Sequence, residues 1–443
     1  MKLKCLSLAM LGTLPVLAFG QWDDVKRIGT GGETYVSTDG EGTVYISSHL
    51  PVQAYVSRNW GDSFGNSHPF PDSLGDMVVY ARPKGKAIVT YMHPTGKGGM
   101  ASFATSDYGQ TWKQGTGIPD RKLDREWVAT DEKSGAAYMI YSDGYIGGPR
   151  SKGIFVSKSE DDGLTWKELG RVDKEAPGDF PVDPHLVNSS DGKLYALWTT
   201  SKDYDHVDAY KCAVSTDGGV TWTNHTTLGT VTTTVNGKNM DNQERWMLGG
   251  LAAHGEKELL AFFVNYMPID VYGDKKGCLV SLVRYSHDAG KTWSEPQTIL
   301  NERELKKAAT AYYDKRTSGD NFPDYIQCLT WACYDAAGHP HFVWQDDRDG
   351  QTMLDLKAFN RWHIRHTWSN KPGDPCVDSE RVSKSVTCKR PPLDFICAAA
   401  DSKYLYVTWT ETPKATGGFD FSGEFWFGRK KLDGALDLLT SSN

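Results

Sequence analysis

The chain has 443 residues, with 49 Lys and Arg against 56 Asp and Glu and a net charge of −7. That balance carries no basic stripe, which excludes nucleic acid as an expected partner. Length alone suggests two or three domains, but 45 glycines, 12% aromatics and few long helical patterns point to many short strands in one repeated architecture.

Residues 1–20 read as a cleaved secretory signal. Lys2 and Lys4 are followed by an uncharged apolar run over 5–18. Ala18-Phe19-Gly20 then offers the small residues a signal peptidase requires, with Gln21 as the new N-terminus. The run is too short to span a bilayer, and no later stretch reaches that length. The expectation is a secreted, extracellular, monomeric protein whose residues 21–443 form a single domain, with no membrane partner.

One motif recurs along the chain: Ser/Thr-x-Asp-x-Gly-x-Thr-Trp. It stands at Thr105-Ser-Asp107-Tyr-Gly109-Gln-Thr111-Trp112, again at 159–166, 215–222 and 286–293, and in weaker form at Ser57-Arg-Asn59-Trp-Gly61-Asp-Ser63-Phe64. The carboxylate of such an Asp accepts backbone N–H groups across a tight turn, and the Gly takes a positive φ that other residues resist. A second repeat surrounds the first. Apolar strands lie at 43–49, 87–93, 137–143, 194–200, 259–265, 342–347 and 405–411. Each follows a short strand that begins near an acidic residue: Glu33, Asp76, Glu126, Asp183, Glu244, Asp324 and Asp394. The unit is strand A, turn, strand B, loop, strand C, box, strand D, with a period of about 60 residues. The expected fold is an all-β propeller of seven blades, each of four antiparallel strands, with six blades as the alternative because the spacing from fifth to sixth unit is long.

Eight cysteines become seven once Cys5 leaves with the signal, an odd number. Cys376 and Cys388 flank a short polar loop and are the best local disulfide candidate, whereas Cys328 and Cys397 read as buried thiols. No spacing supports zinc. Several acidic loops suit calcium, but none has EF-hand spacing, so no metal or cofactor is expected. Asn188-Ser-Ser and Asn224-His-Thr are glycosylation sequons.

The repeat sorts residues by face. Boxes are C–D turns, so their aspartates lie on the far face and are structural. The opposite face collects the ends of B strands and the starts of A strands. The former contribute His49, His93, Asp143 with Tyr145, Asp205 with His206, Asn265 with Tyr266, Asp346 with Arg348, and Glu411. The latter add Arg125 with Trp127, Asp183 with His185, and Arg245 with Trp246. Aromatic rings beside charged groups on a concave surface suit a sugar, since rings stack on pyranose faces while Arg and carboxylates bond acids and hydroxyls. The acidic residue at each A strand recurs, which is a structural signature. Arg125 has Asp124 or a neighbouring blade as ion-pair partner, and Arg348 in Asp-Asp-Arg-Asp reads as an ion-paired loop residue.

The boxes resemble the bacterial neuraminidase repeat of sialidases, which implies the propeller fold. A sialidase would carry a Phe-Arg-Ile-Pro type motif entering its first strand. Gly31-Gly32-Glu33-Thr34-Tyr35 stands there instead, with Arg27-Ile28-Gly29 the nearest echo, and no Tyr/Glu nucleophile pair is found. The whole pattern, particularly Ser47-Ser48-His49-Leu50-Pro51 after the first B strand, resembles a group of secreted seven-bladed propellers. That group contains lyases and hydrolases acting on L-rhamnose-α-1,4-D-glucuronate caps of arabinogalactan. The resemblance implies an acidic plant or microbial polysaccharide as partner and release of rhamnose by β-elimination. Arg125 or Arg245 would neutralise the uronate carboxylate. His93 or His49 would take the C5 proton. Tyr145 or a second His would protonate the leaving oxygen. Trp127 and Trp246 would floor the pocket, with His185, His206 and Tyr266 as further contacts. A glycoside hydrolase on the same face is the alternative, with Asp143, Asp205 and Glu411 as its available acids. A non-catalytic glycan-binding propeller is the second alternative.

Overall fold

A computed structural model describes residues 22, 24–71, 75–93, 99–119, 121–144, 151–203, 205–240, 242, 247–314, 327–346, 348, 362–384, 396–411 and 423–432. Among these, seven antiparallel sheets follow one another along the chain. Blade one runs Gly32–Thr38, Val44–His49, Gln53–Ser57 and His68–Pro69, paired in that order from the inside out. Blades two to six begin with inner strands Gly75–Arg82, Leu123–Asp131, Phe180–Asn188, Gly250–His254 and Gln327–Tyr334. Blade seven begins with Cys397–Ala400. Each inner strand packs against the next, and the seventh against the first, so the ring is closed. The fold is the expected seven-bladed propeller.

The repeat does not reveal how the ring closes. The outermost strand of blade seven is Asp24–Thr30, which pairs antiparallel with Glu424–Lys431. The first strand of the chain thus completes the last blade. The long fifth-to-sixth spacing holds a helix, α1 (Glu302–Asp314), and not a missing blade. α1 is anchored by buried Glu304, which accepts hydrogen bonds from Arg348 (2.7 Å) and from the Ser379 backbone (2.8 Å). Arg348 also holds Asp346, at 2.8 Å from Nε, and is the ion-paired residue expected.

The core is a continuous apolar filling between blades, including the fully buried Trp198, Trp344 and Trp409 on second strands. Cys328 and Cys397 are buried thiols on the inner strands of blades six and seven. Cys388, half of the candidate disulfide, lies outside the described residues.

The boxes close C–D turns as expected. In each full copy the Asp Oδ1 accepts the Thr backbone N–H, at 2.9 Å for Asp107, Asp217 and Asp288 and 2.8 Å for Asp161. Oδ2 accepts the Thr hydroxyl at 2.6 Å. These bonds to the charged form hold Asp107, Asp161 and Asp217 below the ordinary carboxylate range and bring Asp288 to about 2. Left-handed backbone occupies two successive positions, as at Tyr108 (φ 62°) and Gly109 (φ 73°). The box of blade three reaches the A–B turn of blade two, where Lys86 bonds Asp162 at 2.8 Å. Boxes and A–B turns therefore share one face. Replacing Asp217 by alanine is expected to lower the unfolding free energy by about 1 kcal/mol, measured by urea denaturation.

Candidate functional site

Five inner strands begin with the same irregularity. The register with the second strand breaks between Gly32 and Tyr35, Gly75 and Val78, Asp124 and Trp127, Val182 and His185, and Cys328 and Trp331. At each break one non-glycine residue is left-handed: Glu33 (φ 46°), Asp76 (50°), Arg125 (55°), Asp183 (49°) and Leu329 (49°). Such backbone costs about 1–3 kcal/mol per residue and persists only where the surroundings enforce it. A β-bulge re-aims a side chain and ends pairing. Here it splits the inner strand into two tiers.

The lower tier is an aromatic plug across the channel, made by the residue two places after the bulge position in four of the five strands, with Val78 in that place in blade two. Trp127 and Trp331 lie 5.1 Å apart between ring centroids, and Tyr35 is 5.5 Å from Trp127. His185 is 5.1 Å from Trp127 and 5.2 Å from Trp331. Its Nδ1 accepts the Leu251 backbone N–H at 3.2 Å, and burial pushes its pKa down to about 3, so it is a neutral packing group. Below the plug, on the box side, lies an open hollow of about 260 Å³.

The upper tier is a polar arc crossing four blades. His49 ends the second strand of blade one, and its Nδ1 pairs with the Glu33 carboxylate. Its ring lies on Gly75: a Cβ there would stand 2.5 Å from His49 Cε1. Ligand-capable atoms of Glu33, His49 and Asp76 lie within 4.8 Å of one another. Asp76 and Asp124 interact across blades two and three. Arg125 Nε meets Asp183 Oδ1 at 3.2 Å, so its partner belongs to the next blade, and Asp183 accepts the Thr199 hydroxyl at 3.3 Å. Glu126 is only 2% exposed. Burial and the Asp76 carboxylate push the pKa of both Asp124 and Glu126 well above the ordinary carboxylate range. Two small hollows flank Arg125: one of about 10 Å³ lined by Glu33, Asp76 and Glu126, and one of about 30 Å³ lined by Asp183, Trp127 and Trp331.

The donors Glu33, His49 and Asp76 suit a divalent ion by type. However, Glu33 and His49 are already bonded to each other, and Arg125 walls the same hollow.

Of the residues expected from sequence, His49, Arg125 and Trp127 come together here. His93 is on the same face but one step further along: Met92, not His93, pairs with Gly75 as His49 pairs with Gly32. His185 is in the plug. His206 is exposed, 2.8 Å from Asp203. Tyr266 is buried in the long strand Glu258–Val271 of blade five. Tyr145, Arg245 and Trp246 lie outside the described residues, as do Asp324 and Asp394. Among the hydrolase acids, Asp143 is paired with Arg121 at 3.1 Å, Glu411 accepts Trp409 Nε1 at 3.1 Å, and Asp205 is on a loop beside Asp203. Sequence reasoning took Asp124 only as an ion-pair partner of Arg125 and Glu126 only as a recurring structural acid, and passed over Gly75. The aromatic ring two places after the bulge residue in four of the five strands was the available signal.

The family model described as BNR/Asp-box repeat matches residues 284–295, the fourth full box. A search of curated protein sequences finds no match. Among solved structures, the α-L-arabinofuranosidase Arb93A from Fusarium graminearum aligns at TM-score 0.49 and 13% identity, covering 93% of this chain and 99% of that one. Hadza microbial sialidase Hz136 aligns at 0.46 and 13%, covering 89% and 74%. A PL25 ulvan lyase bound to -[GlcA(1-4)Rha3S]- aligns at 0.44 and 14%, covering 80% and 81%. These are similarities of overall fold.

Gly75→Ala is expected to force the His49 ring off Glu33. The cost is about 1–3 kcal/mol of stability, as for other insertions into packed sites. Differential scanning calorimetry reads it, and an unchanged melting temperature would contradict the packing described.

Proposed function

We propose that this chain is a secreted carbohydrate-active enzyme that cleaves a uronate-bearing polysaccharide in the funnel above the plug by β-elimination. The observation that carries the reading is the convergence, on one arc, of a histidine oriented by a carboxylate, a carboxyl whose pKa is raised and an arginine. A bond from His49 Nδ1 to Glu33 sets the tautomer in which Nε2 is the basic nitrogen. His49 then takes the C5 proton of the uronate. Arg125, held by Asp183, faces the sugar carboxylate and makes C5 more acidic. The C4–O bond breaks as the C4–C5 double bond forms, and Asp124 supplies the proton to the departing oxygen. Trp127 beneath Arg125 gives the ring an apolar floor. The L-rhamnose-α-1,4-D-glucuronate cap of arabinogalactan is the proposed substrate, on the resemblance at Ser47-Ser48-His49-Leu50-Pro51. The apolar leader over 1–20 supports secretion.

A second reading is hydrolysis at the same place, favoured by the carboxyl cluster of Glu33, Asp76 and Asp124, which suits water activation. Incubation with gum arabic separates the two. Ultraviolet absorbance of an unsaturated uronate appearing with free rhamnose supports elimination. Rhamnose without that absorbance supports hydrolysis, and binding without either product leaves a lectin.

His49→Ala is expected to lower kcat by about 10²–10⁴-fold with the fold retained by circular dichroism. Arg125→Ala is expected to lower kcat/KM on the uronate by at least about tenfold, whereas the carboxyl-reduced glycan, having no anion to meet, loses little between wild type and variant.

A further inference from the structure

Blade five carries a projection that no other described blade has. The other second strands have six to eight residues, whereas Glu258–Val271 has 14 and its partner Asp274–Ser286 has 13. The inner strand Gly250–His254 pairs with the second only as far as Phe262. The next nine residues, Phe263 to Val271, go on pairing with the third strand. At about 3.3 Å per residue that is about 30 Å of ribbon. It points to the rim face, because second strands run away from the A–B turns on the box face.

A two-stranded ribbon is marginal by itself, and two neighbours hold this one. The short hairpin of Thr234–Val235 and Lys238–Asn239 packs on it. There Asn236 Nδ2 donates to the Lys275 carbonyl, and Met240 lies on Gly277, where a Cβ would stand 2.6 Å from its sulfur. α1 packs on it as well. The Tyr313 hydroxyl donates to the Gly277 carbonyl at 3.0 Å, and the Tyr272 hydroxyl reaches the two Asp314 carboxylate oxygens at 2.9 and 3.1 Å.

The tip held in this way presents a bare ring. Tyr272 is 78% exposed, the most exposed large apolar side chain among the described residues. A single exposed apolar side chain needs no ligand to explain it. What distinguishes this one is its fixed hydroxyl and its charged surroundings. A ring tied down through its hydroxyl has little rotamer freedom left to lose on binding. Around it, Lys275 and Lys306 share the one carboxylate of Asp270 at 3.9 and 3.7 Å, and both side chains are more than half exposed. Lys276 pairs with Asp274, and Lys238 is exposed on the neighbouring hairpin. Four ammonium groups therefore meet three carboxylates, Asp270, Asp274 and Asp314, on a chain whose net charge is −7.

We propose that this ribbon is a holding arm for an acidic polysaccharide. Tyr272 stacks on the apolar face of one sugar, remote from the bond that is cleaved, and Lys275, Lys306 and Lys238 meet carboxylates along the glycan. The proposal rests on the reading above only in taking a uronate-bearing glycan as the ligand. The rim arc occupies blades one to four and the arm stands on blade five, so one polymer can engage both. Once one site is engaged, the second binding event is intramolecular and the effective concentration of sugar at the arc rises. The arm therefore serves polymers, and a disaccharide gains nothing from it.

Affinity electrophoresis of the full chain through gels containing gum arabic tests this, in the His49→Ala variant so that the polymer stays intact. Tyr272→Ala is expected to weaken retention about three- to tenfold in dissociation constant, while Tyr272→Phe, which keeps the ring, retains most of it. Lys275→Ala/Lys306→Ala is expected to weaken retention on gum arabic but not on the carboxyl-reduced polymer, with a loss that shrinks as salt is added. With His49 intact, Tyr272→Ala is expected to raise KM on the polymer and to leave kcat, and KM on the L-rhamnose-α-1,4-D-glucuronate disaccharide, unchanged. Equal retention of Tyr272→Ala and its parent overturns the arm, even where gum arabic is cleaved. Retention that depends on Tyr272 in a chain that forms no product upholds the arm and sinks the cleavage reading alone. A lysine effect of the same size on the carboxyl-reduced polymer overturns the choice of an acidic ligand.

Discussion

The site depends on one backbone device, the left-handed residue at the start of an inner strand. Without it each inner strand would alternate simply, one residue to the channel and the next into the blade. With it, Glu33, Asp76, Arg125 and Asp183 are lifted out of the ladder onto the rim, while Tyr35, Val78, Trp127 and His185 turn inward two places later. The strain is carried by the flanking pairs, which extend from Tyr35 to Thr38 in blade one and from Trp127 to Asp131 in blade three. Blade five shows the contrast: Gly250–His254 pairs with its neighbour without a break.

Lifting four ionisable side chains onto one rim creates an electrostatic problem. Glu33, Asp76, Asp124, Glu126 and Asp183 crowd one arginine, and most of these groups are shielded from water. Buried carboxylates without counter-charge are costly, and the ordinary resolution is to take up protons. Asp124 and Glu126 are pushed that way, while Asp183 takes Arg125 and Glu33 takes His49. The same crowding shifts carboxyls on the rim upward beside a histidine and an arginine that are each held by a carboxylate.

How much of this is legible in the sequence depends on whether a signal repeats. The box is legible because its turn needs the same Asp, Gly and Thr each time, and the blade count follows from it. His49 and Arg125 are legible because alternation assigns strand ends to a face. The strand that closes blade seven is not legible, because pairing between Asp24–Thr30 and Glu424–Lys431 joins segments nearly the whole chain apart with no shared motif. Asp124 and Glu126 are hidden for another reason. Their importance is their environment, since an Asp and a Glu beside an Arg read as an ion-paired surface triplet until the bulge shows which of them is buried. His93 stands one step beyond the residue in register with Gly75, which is Met92, since pattern alone fixes strand ends only to within a residue or two.

The two faces use opposite kinds of residue. On the box face, carboxylates are exposed and receive several donors, which lowers their pKa and keeps them ionised. On the rim, carboxyls are buried and crowded, which raises it. The plug of Trp127, Trp331, Tyr35 and His185 lies between the two, with the open hollow on its box side. A neutral His185 serves that partition better than a charged one, because a cation there would draw water into the layer that must stay dry. The repeat supplies a rigid ring cheaply in sequence terms, and the departures from the repeat, at the bulges, are where ionisable groups have been brought inside.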